Sequence, residues 1–527
     1  MNHLRLTKAA VAALISATLV ACAASTDAPR PRVELPQQLR LPPADTSLLS
    51  IFERRVGKIA IVDEDGSLRI TDQLGRESNV LAPIRERSSK DTESRYVTLA
   101  WSPDSTQLAV AQHTRKDKAA NAIVELNPAS VTIRRSSRSV TLLESEDGET
   151  QSLGAEGGST YTERNPSVVI IQRSQSAESL IASAVYVVPL NQAMPIREVF
   201  YSSYEEVQML DWSPNGQWIA VMTKDFGEDM TRLYLVEPRD GVQPKFIFEG
   251  QDVNWQWHPN GDKLLLRQSP SLTQPPRVVL YDARQGTSTT IAPRGGDARL
   301  AMPSFSPSGE FMLLTARARP EAQQQRDTRY QLLLADDNGN PVKPLTEFAG
   351  QIYFSWSPKG NQIAYFVESP SSNGGLLQVI DLPDGRPRLI SERAVRAFFW
   401  SPDGERIAAL SSLTPDEMNP NFLGYDLTPP ISGAPIYLLE TINPADGSTR
   451  ELFYFMPSRS FGELIQNFNH RMHNATIWSP DGRKLVFTLA YGESQARLRD
   501  FVIESESSGS LVPRVLGHGS LAIWSPK

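Results

Sequence analysis

The stretch WSPDGRKLVFTLA, Trp478 to Ala490, decides how the rest of this chain is read. Nearly the same words stand at Trp101 (WSPDSTQLAVAQ), Trp212 (WSPNGQWIAVMT), Trp257 (WHPNGDKLLLRQ), Phe305 (FSPSGEFMLLTA), Trp356 (WSPKGNQIAYFV) and Trp400 (WSPDGERIAALS). An eighth copy, WSPK from Trp524, breaks off at Lys527. Five of the seven spacings lie between 44 and 51 residues, the length of four short strands with their turns. The motif has the chemistry of a tight turn. Ser bonds nearby backbone, Pro pre-sets φ, Asp or Asn suits the next position, and Gly accepts a positive φ. The flanking segments, such as VQMLDW before the turn and WIAVM after it, are apolar at nearly every position, as in a sheet buried on both faces. A more exposed, alternating hairpin usually follows, as in TRLYLVEPRDGVQPKFIFE and GLLQVIDLPDGRPRLIS.

Four antiparallel strands per repeat, the inner pair doubly buried, describe a β-propeller blade. The fold expected is all-β: an eight-bladed β-propeller of four-stranded antiparallel blades. The broken last copy fits this expectation. Residues 57–83 supply three strands of a blade without its innermost strand, and SLAIWSPK supplies an innermost strand alone. Joined, they close the ring and leave no exposed end. The 111 residues between Trp101 and Trp212 exceed one repeat. Residues 165–203 are expected to form either a degenerate ninth blade or extra strands on an eight-bladed ring. Seven of the nine tryptophans occupy the motif position, which points to packing between blades.

These repeats resemble the WD40-like "PD40" repeat of the TolB propeller. They are also similar to the propellers that precede prolyl-oligopeptidase-type hydrolases. The resemblance covers about residues 57–527 and identifies the repeat type. It implies a propeller and, through TolB, a role in envelope integrity or assembly. TolB carries an additional α/β domain before its propeller, and this chain has no room for one.

The N-terminus is unlike the rest. Residues 1–21 carry Arg5 and Lys8 ahead of a short apolar run from Ala9 to Ala21, the pattern of an export signal. LVAC, Leu19 to Cys22, resembles the lipobox of bacterial lipoproteins. That resemblance implies cleavage before Cys22, acylation of Cys22 and, with Ala23 next in a Gram-negative host, an outer-membrane protein facing the periplasm. Cys22 is the sole cysteine, so no disulfide can form within the chain. Residues 22–50 follow as the lipidated cysteine and a Pro-rich tether, and residues 51–527 are expected to form one propeller domain. Loss of residues 1–21 takes the formal net charge from −7 to −9, which argues against nucleic acid as a partner. A monomeric propeller is expected.

Extra chain length is expected on one face of the ring, in Ile84–Arg95, Arg115–Arg138, Ala316–Arg329, Ser411–Pro435 and Pro457–Asn474. Long loops on one side of a rigid scaffold are where binding concentrates. Phe422, Leu423 and Tyr425, among prolines, are the candidate partner-binding residues. Phe461, Leu464, Ile465, Phe468 and Met472 stand at helical spacing, with Ser460 and Glu463 in a capping-box pattern, and predict a short helix packed on the propeller. There is no G-x-S-x-G elbow. His470 and His473 sit three apart without a third ligand nearby, and His113, His258 and His518 are scattered. DEDGS, Asp63 to Ser67, reads as a hairpin turn because it lacks the later ligands of a calcium loop. No catalytic residue, metal or cofactor is assigned. The expected function is a non-enzymatic binding platform for a protein or peptide of the bacterial envelope. The alternatives are a glycan lyase or hydrolase using the propeller channel, and a sensor of sugar or cell wall.

Overall fold

The structure, a computed structural model, describes residues 56–73, 79–81, 92–116, 180–191, 194–225, 230–271, 276–291, 301–318, 329–369, 374–383, 385–413, 436–466, 477–491, 499–506 and 514–527, with isolated positions and short strands between them. Seven four-stranded antiparallel sheets are arranged as blades. The first blade is the closing one. Its innermost strand is Leu521–Trp524, followed outward by Ile59–Val62, Leu68–Thr71 and Asn79–Leu81. The register Ile59 to Trp524 through Val62 to Leu521 joins the two ends of the chain, as the split motif requires.

The second blade runs outward through Thr92–Trp101, Gln107–Lys116, Leu180–Pro189 and Arg197–Ser202. Within 165–203 the two long described strands, Leu180–Pro189 and Arg197–Ser202, therefore belong neither to a ninth blade nor to an addition on a complete one. They are the third and fourth of the blade that Trp101 begins. Leu180–Pro189 pairs with Gln107–Lys116 across the 117–179 connection because the apolar run Val185–Val188 meets Leu108–Ala111 in register, and the pairing buries Val110, Val185 and Val187. Two small separate sheets lie within that connection. The third to seventh blades begin at Glu205–Trp212, Asp252–Trp257, Ser304–Phe305, Ile352–Trp356 and Ala397–Trp400, each ending on a motif aromatic.

The expectation of eight four-stranded blades is corrected to seven. The remaining sheet has three strands, Lys484–Tyr491, Arg499–Glu506 and Arg514–His518. Its innermost edge is shared by two fragments. Trp478 bridges Leu485 at one end and Pro457 bridges Leu489 at the other. Between the fragments the chain leaves the sheet as helix α1, Arg459–Gln466. The helix expected to lie over the blade thus interrupts an innermost strand. The cap also differs. Ser458, rather than Ser460, caps the helix, its Oγ accepting the Phe461 N–H at 3.2 Å. The apolar face of α1 packs on the propeller as expected, burying Phe461, Leu464 and Ile465 against Phe455 and Phe487.

The motif turns carry the geometry read from their residues. In the Trp478 copy, Ser479 Oγ donates to Asp481 Oδ1 at 2.7 Å and accepts the Lys484 N–H at 2.9 Å. The same pair of bonds recurs at Ser102, Ser213 and Ser401. The glycine of each turn has positive φ, and Ser105 takes φ 61° where the Trp101 copy lacks glycine. The motif tryptophans link neighbouring blades. Trp101, Trp212, Trp356, Trp400 and Trp478 each donate Nε1–H to the carbonyl just before the motif aromatic of the preceding blade, at 2.9–3.4 Å. Apolar clusters fill every junction, and Ile59, Val486, Val502 and Trp524 close the last one between the three-stranded sheet and the first blade.

Candidate binding face

An innermost strand always ends at a motif turn, so alternation of strand direction defines two faces. Motif turns and the turns between third and fourth strands lie on one face. Connections from second to third strands, and from each blade to the next, lie on the other. Motif turns between the described strands span five or six residues, and the other turns on that face span four to eight. Every connection of ten residues or more lies on the opposite face, including 82–91, 117–179 and 414–435. Val56 and Lys527 lie on the motif face, where the Lys527 N–H donates to Ser105 Oγ.

On the long-connection face the third blade carries a charged seam along its side toward the second blade. The register places Val207, Thr223, Arg232 and Glu249 in one cross-strand row, and Glu205 opposite Asp225 two rows away. All therefore project to the side facing the second blade. Arg232 Nη1 lies 2.8 Å from Glu205 Oε1 and 3.1 Å from Asp225 Oδ2, and its Nε lies 2.6 Å from Glu249 Oε2. Tyr234 Oη donates to Glu205 Oε1 at 2.9 Å, and Tyr204 presents its ring 5.9 Å from the guanidinium. Glu249, with Asp225 and Glu205, raises the Arg232 pKa against the effect of burial. Burial and the Glu205 charge raise that of Tyr234. Glu205 is 1% exposed, and its Oε2 has no hydrogen-bond partner among the described residues. Among the described residues three carboxylates surround this one cation, so the four side chains together carry a formal charge of −2.

A second set of polar contacts lies beside it. Arg115 Nη2 is 2.9 Å from Glu206 Oε1, and His113 Nε2 donates to the Val207 carbonyl at 3.0 Å. His113 Nδ1 is 3.1 Å from Glu206 Oε1 but out of line for a hydrogen bond. Burial raises the Glu206 pKa, yet His113 and Arg115 prevail and hold it below the usual range. The ion pairs of this face sit between strand ends, whereas Lys359–Glu405 on the motif face stands 53% and 69% exposed. Screening leaves such an exposed pair little energy.

Cys22, Phe422, Leu423 and Tyr425 lie outside the described residues, as do Phe468, His470, Met472 and His473. The three remaining histidines of the propeller do not meet. His113 joins two blades, His258 replaces the motif serine and packs edge-on against Phe305, and His518 Nδ1 lies 3.6 Å from Glu64. DEDGS forms the hairpin turn expected of it. Asp63 engages Arg69, and Asp65 accepts from Ser67 N–H and Oγ–H, which holds its carboxyl low. The Arg232 seam escaped the sequence reading. Its members are spread over 45 residues, and only the charges at successive strand ends signalled them.

No family model matches the chain, and no curated protein matches it. Solved structures of similar fold include TolB from Acinetobacter baumannii, at 15% identity and TM-score 0.34, over 78% of this chain and 90% of that one. The β-propeller domain of the Trilobed protease from Pyrococcus furiosus matches at 11% identity and TM-score 0.40, over 81% and 96%. An oligogalacturonate lyase from Vibrio parahaemolyticus matches at 11% identity and TM-score 0.40, over 60% and 78%. A TolB, a protease domain and a lyase are thus among the similar structures, and the likeness carries no activity across. Among the described residues no helix is long and apolar enough to cross a membrane.

Proposed function

We propose that this chain is a lipid-anchored, extracytoplasmic propeller acting as a non-enzymatic binding platform for a protein or peptide of the bacterial cell envelope. The observation that carries this reading is the division of the two faces. One face is closed by tight turns, and every long connection falls on the other. Binding loops on a rigid ring have this distribution. The TolB-like repeat supports an envelope role, and the lipobox at Cys22 supports the anchor. Phe422, Leu423 and Tyr425 are the proposed contact residues, since aromatic side chains dominate interface energy.

Two experiments test the reading. Replacing Asp416–Ser432 by a short Gly-Ser linker leaves the ring folded, because the segment lies between the second and third strands of its blade. It weakens capture of the native partner from membranes at least tenfold. Capture that survives in full, but is lost on altering the motif turns, assigns binding to the opposite face. Cys22→Ser sends the folded protein to the soluble fraction. A variant that still pellets with membranes through a salt wash removes the anchor from the proposal.

A further inference from the structure

The outer strand of each blade is an open sheet edge, and such edges recruit other strands unless they are blunted. Of the eight sheets in the ring, seven show a blunting device. The first blade's outer strand has three residues, Asn79–Leu81. Those of the second, third, sixth and seventh blades carry both acidic and basic residues, and each pairs with a register shift. The fifth, Pro341–Phe348, adds two prolines and two shifts. Arg514–His518 carries Arg514, a glycine and a shift.

The fourth blade differs. Its outer strand Thr287–Ile291, TSTTI, has no charge, no proline and no glycine. It pairs with Arg277–Asp282 in unbroken register from Val278–Ile291 to Asp282–Thr287. Thr287 to Thr290 are exposed. Elsewhere on the rim, cations of the outer strand reach across to the next blade. Lys245 donates to the Ala283 carbonyl, Lys343 to that of Pro383 and Arg388 to that of Pro444. The fourth blade instead sets Ile291 against Gly339, and among the described residues no strand pairs with the outer side of Thr287–Ile291.

We infer that Thr287–Ile291 is an acceptor edge for an extended strand of a partner polypeptide, uncharged over about five residues and rich in threonine or valine. Main-chain bonds along the edge supply affinity, and alternate side chains supply selectivity. β-Branched and threonine pairs are favoured across such a ladder, and the lack of charge on the host edge selects an uncharged guest. The edge is about 17 Å long. That length seats a single peptide strand, and five residues are far fewer than the roughly 20–30 residues a side that a stable pair of folded proteins brings together. A second copy, with formal net charge −7, is repelled as well.

The test uses a fluorescein-labelled, end-capped peptide of alternating threonine and valine, seven residues long, and the same peptide with a central proline. The expected result is a rise in anisotropy with the first peptide and none with the second, together with slowed amide exchange at residues 287–291. The double variant Ser288→Lys/Thr290→Lys introduces charges of the kind the other outer strands already bear, so the fold is retained. It weakens binding at least tenfold. The inference is overturned if the first peptide fails to bind, or if it binds the double variant equally well. It is also overturned if the protein alone forms a dimer that the double variant abolishes, which would assign the edge to a second copy.

Discussion

Lys58 donates its backbone N–H to Ser525 Oγ at 2.9 Å, across 467 residues of chain. Ser479 Oγ accepts the N–H of Lys484, five residues on, at the same 2.9 Å. The interrupted motif is thus rebuilt from the two ends of the molecule, with the serine in its usual role. Ser525→Ala removes one buried acceptor and costs about 1–2 kcal/mol. Deletion of residues 520–527 takes away Leu521, Ile523 and fully buried Trp524, and costs on the order of 5 kcal/mol or more. Urea unfolding measures both. A truncated protein with an unchanged midpoint would show that the tail strand does not hold the ring.

The position of the helix cap separates two serines. Ser458 Oγ accepts the Phe461 N–H, lies 2.7 Å from Thr488 Oγ1 and donates to the Ser520 carbonyl at 3.0 Å. Ser458→Ala is expected to cost about 1–2 kcal/mol. Ser460→Ala lies inside the helix and should change stability by less than about 0.5 kcal/mol. Equal costs for the two variants would return the cap to Ser460.

The motif tryptophans provide a matched comparison. Trp478 Nε1–H reaches the Phe399 carbonyl at 2.9 Å, whereas Trp257 Nε1 has no hydrogen-bond partner among the described residues. Phenylalanine keeps most of the apolar volume and loses the donor. Trp478→Phe should therefore cost about 1 kcal/mol more than Trp257→Phe, because it strands a buried carbonyl. Calorimetry of the two variants reads the difference, and the reverse order would remove the hydrogen bond as the cause.

Glu440 carries a pH signature. It lies opposite Glu451 in the ladder and is 2% exposed, with Arg393 Nη1 4.0 Å from its Oε2. Burial, with the Glu451 and Glu392 charges, outweighs Arg393 and pushes its pKa up to about 7. The folded state then binds the proton more tightly than the unfolded chain. This contribution to stability is full below the unfolded carboxylate range and is lost as pH rises through about 7. Glu440→Gln should stabilise the protein at pH 8 by up to roughly 3 kcal/mol, with the gain shrinking toward pH 5. Unfolding curves of both proteins across that window test this. Parallel pH profiles would show that Glu440 does not titrate there.

Much of the architecture was legible because each blade repeats one local solution. Ser479, Pro480, Asp481 and Gly482 are adjacent in sequence, and their bonds close within six residues, so residue types alone disclose the turn. The expected closure followed from the same regularity, as a motif cut in half must find its complement. The helix over Phe461, Leu464 and Ile465 was legible from spacing. Its place within an innermost strand was not, because the bridges of Pro457 to Leu489 and Trp478 to Leu485 connect segments that periodicity treats as independent.

What the sequence by itself determined is the repeat: a turn chemistry, a strand pattern and the split copy that makes the array a ring. Those features depend on neighbours within a few residues. Only the tertiary structure decided which strands complete which blade. Leu180–Pro189 belongs to the second blade because its apolar residues pair with Gln107–Lys116 across a long connection, a choice of register with no local signal. It also decided that four-stranded blades number seven, and that Glu205, Asp225, Arg232 and Glu249 meet in one seam. Each of these outcomes depends on side chains brought together by pairing between distant strands, and that pairing is set by the burial of whole sheets.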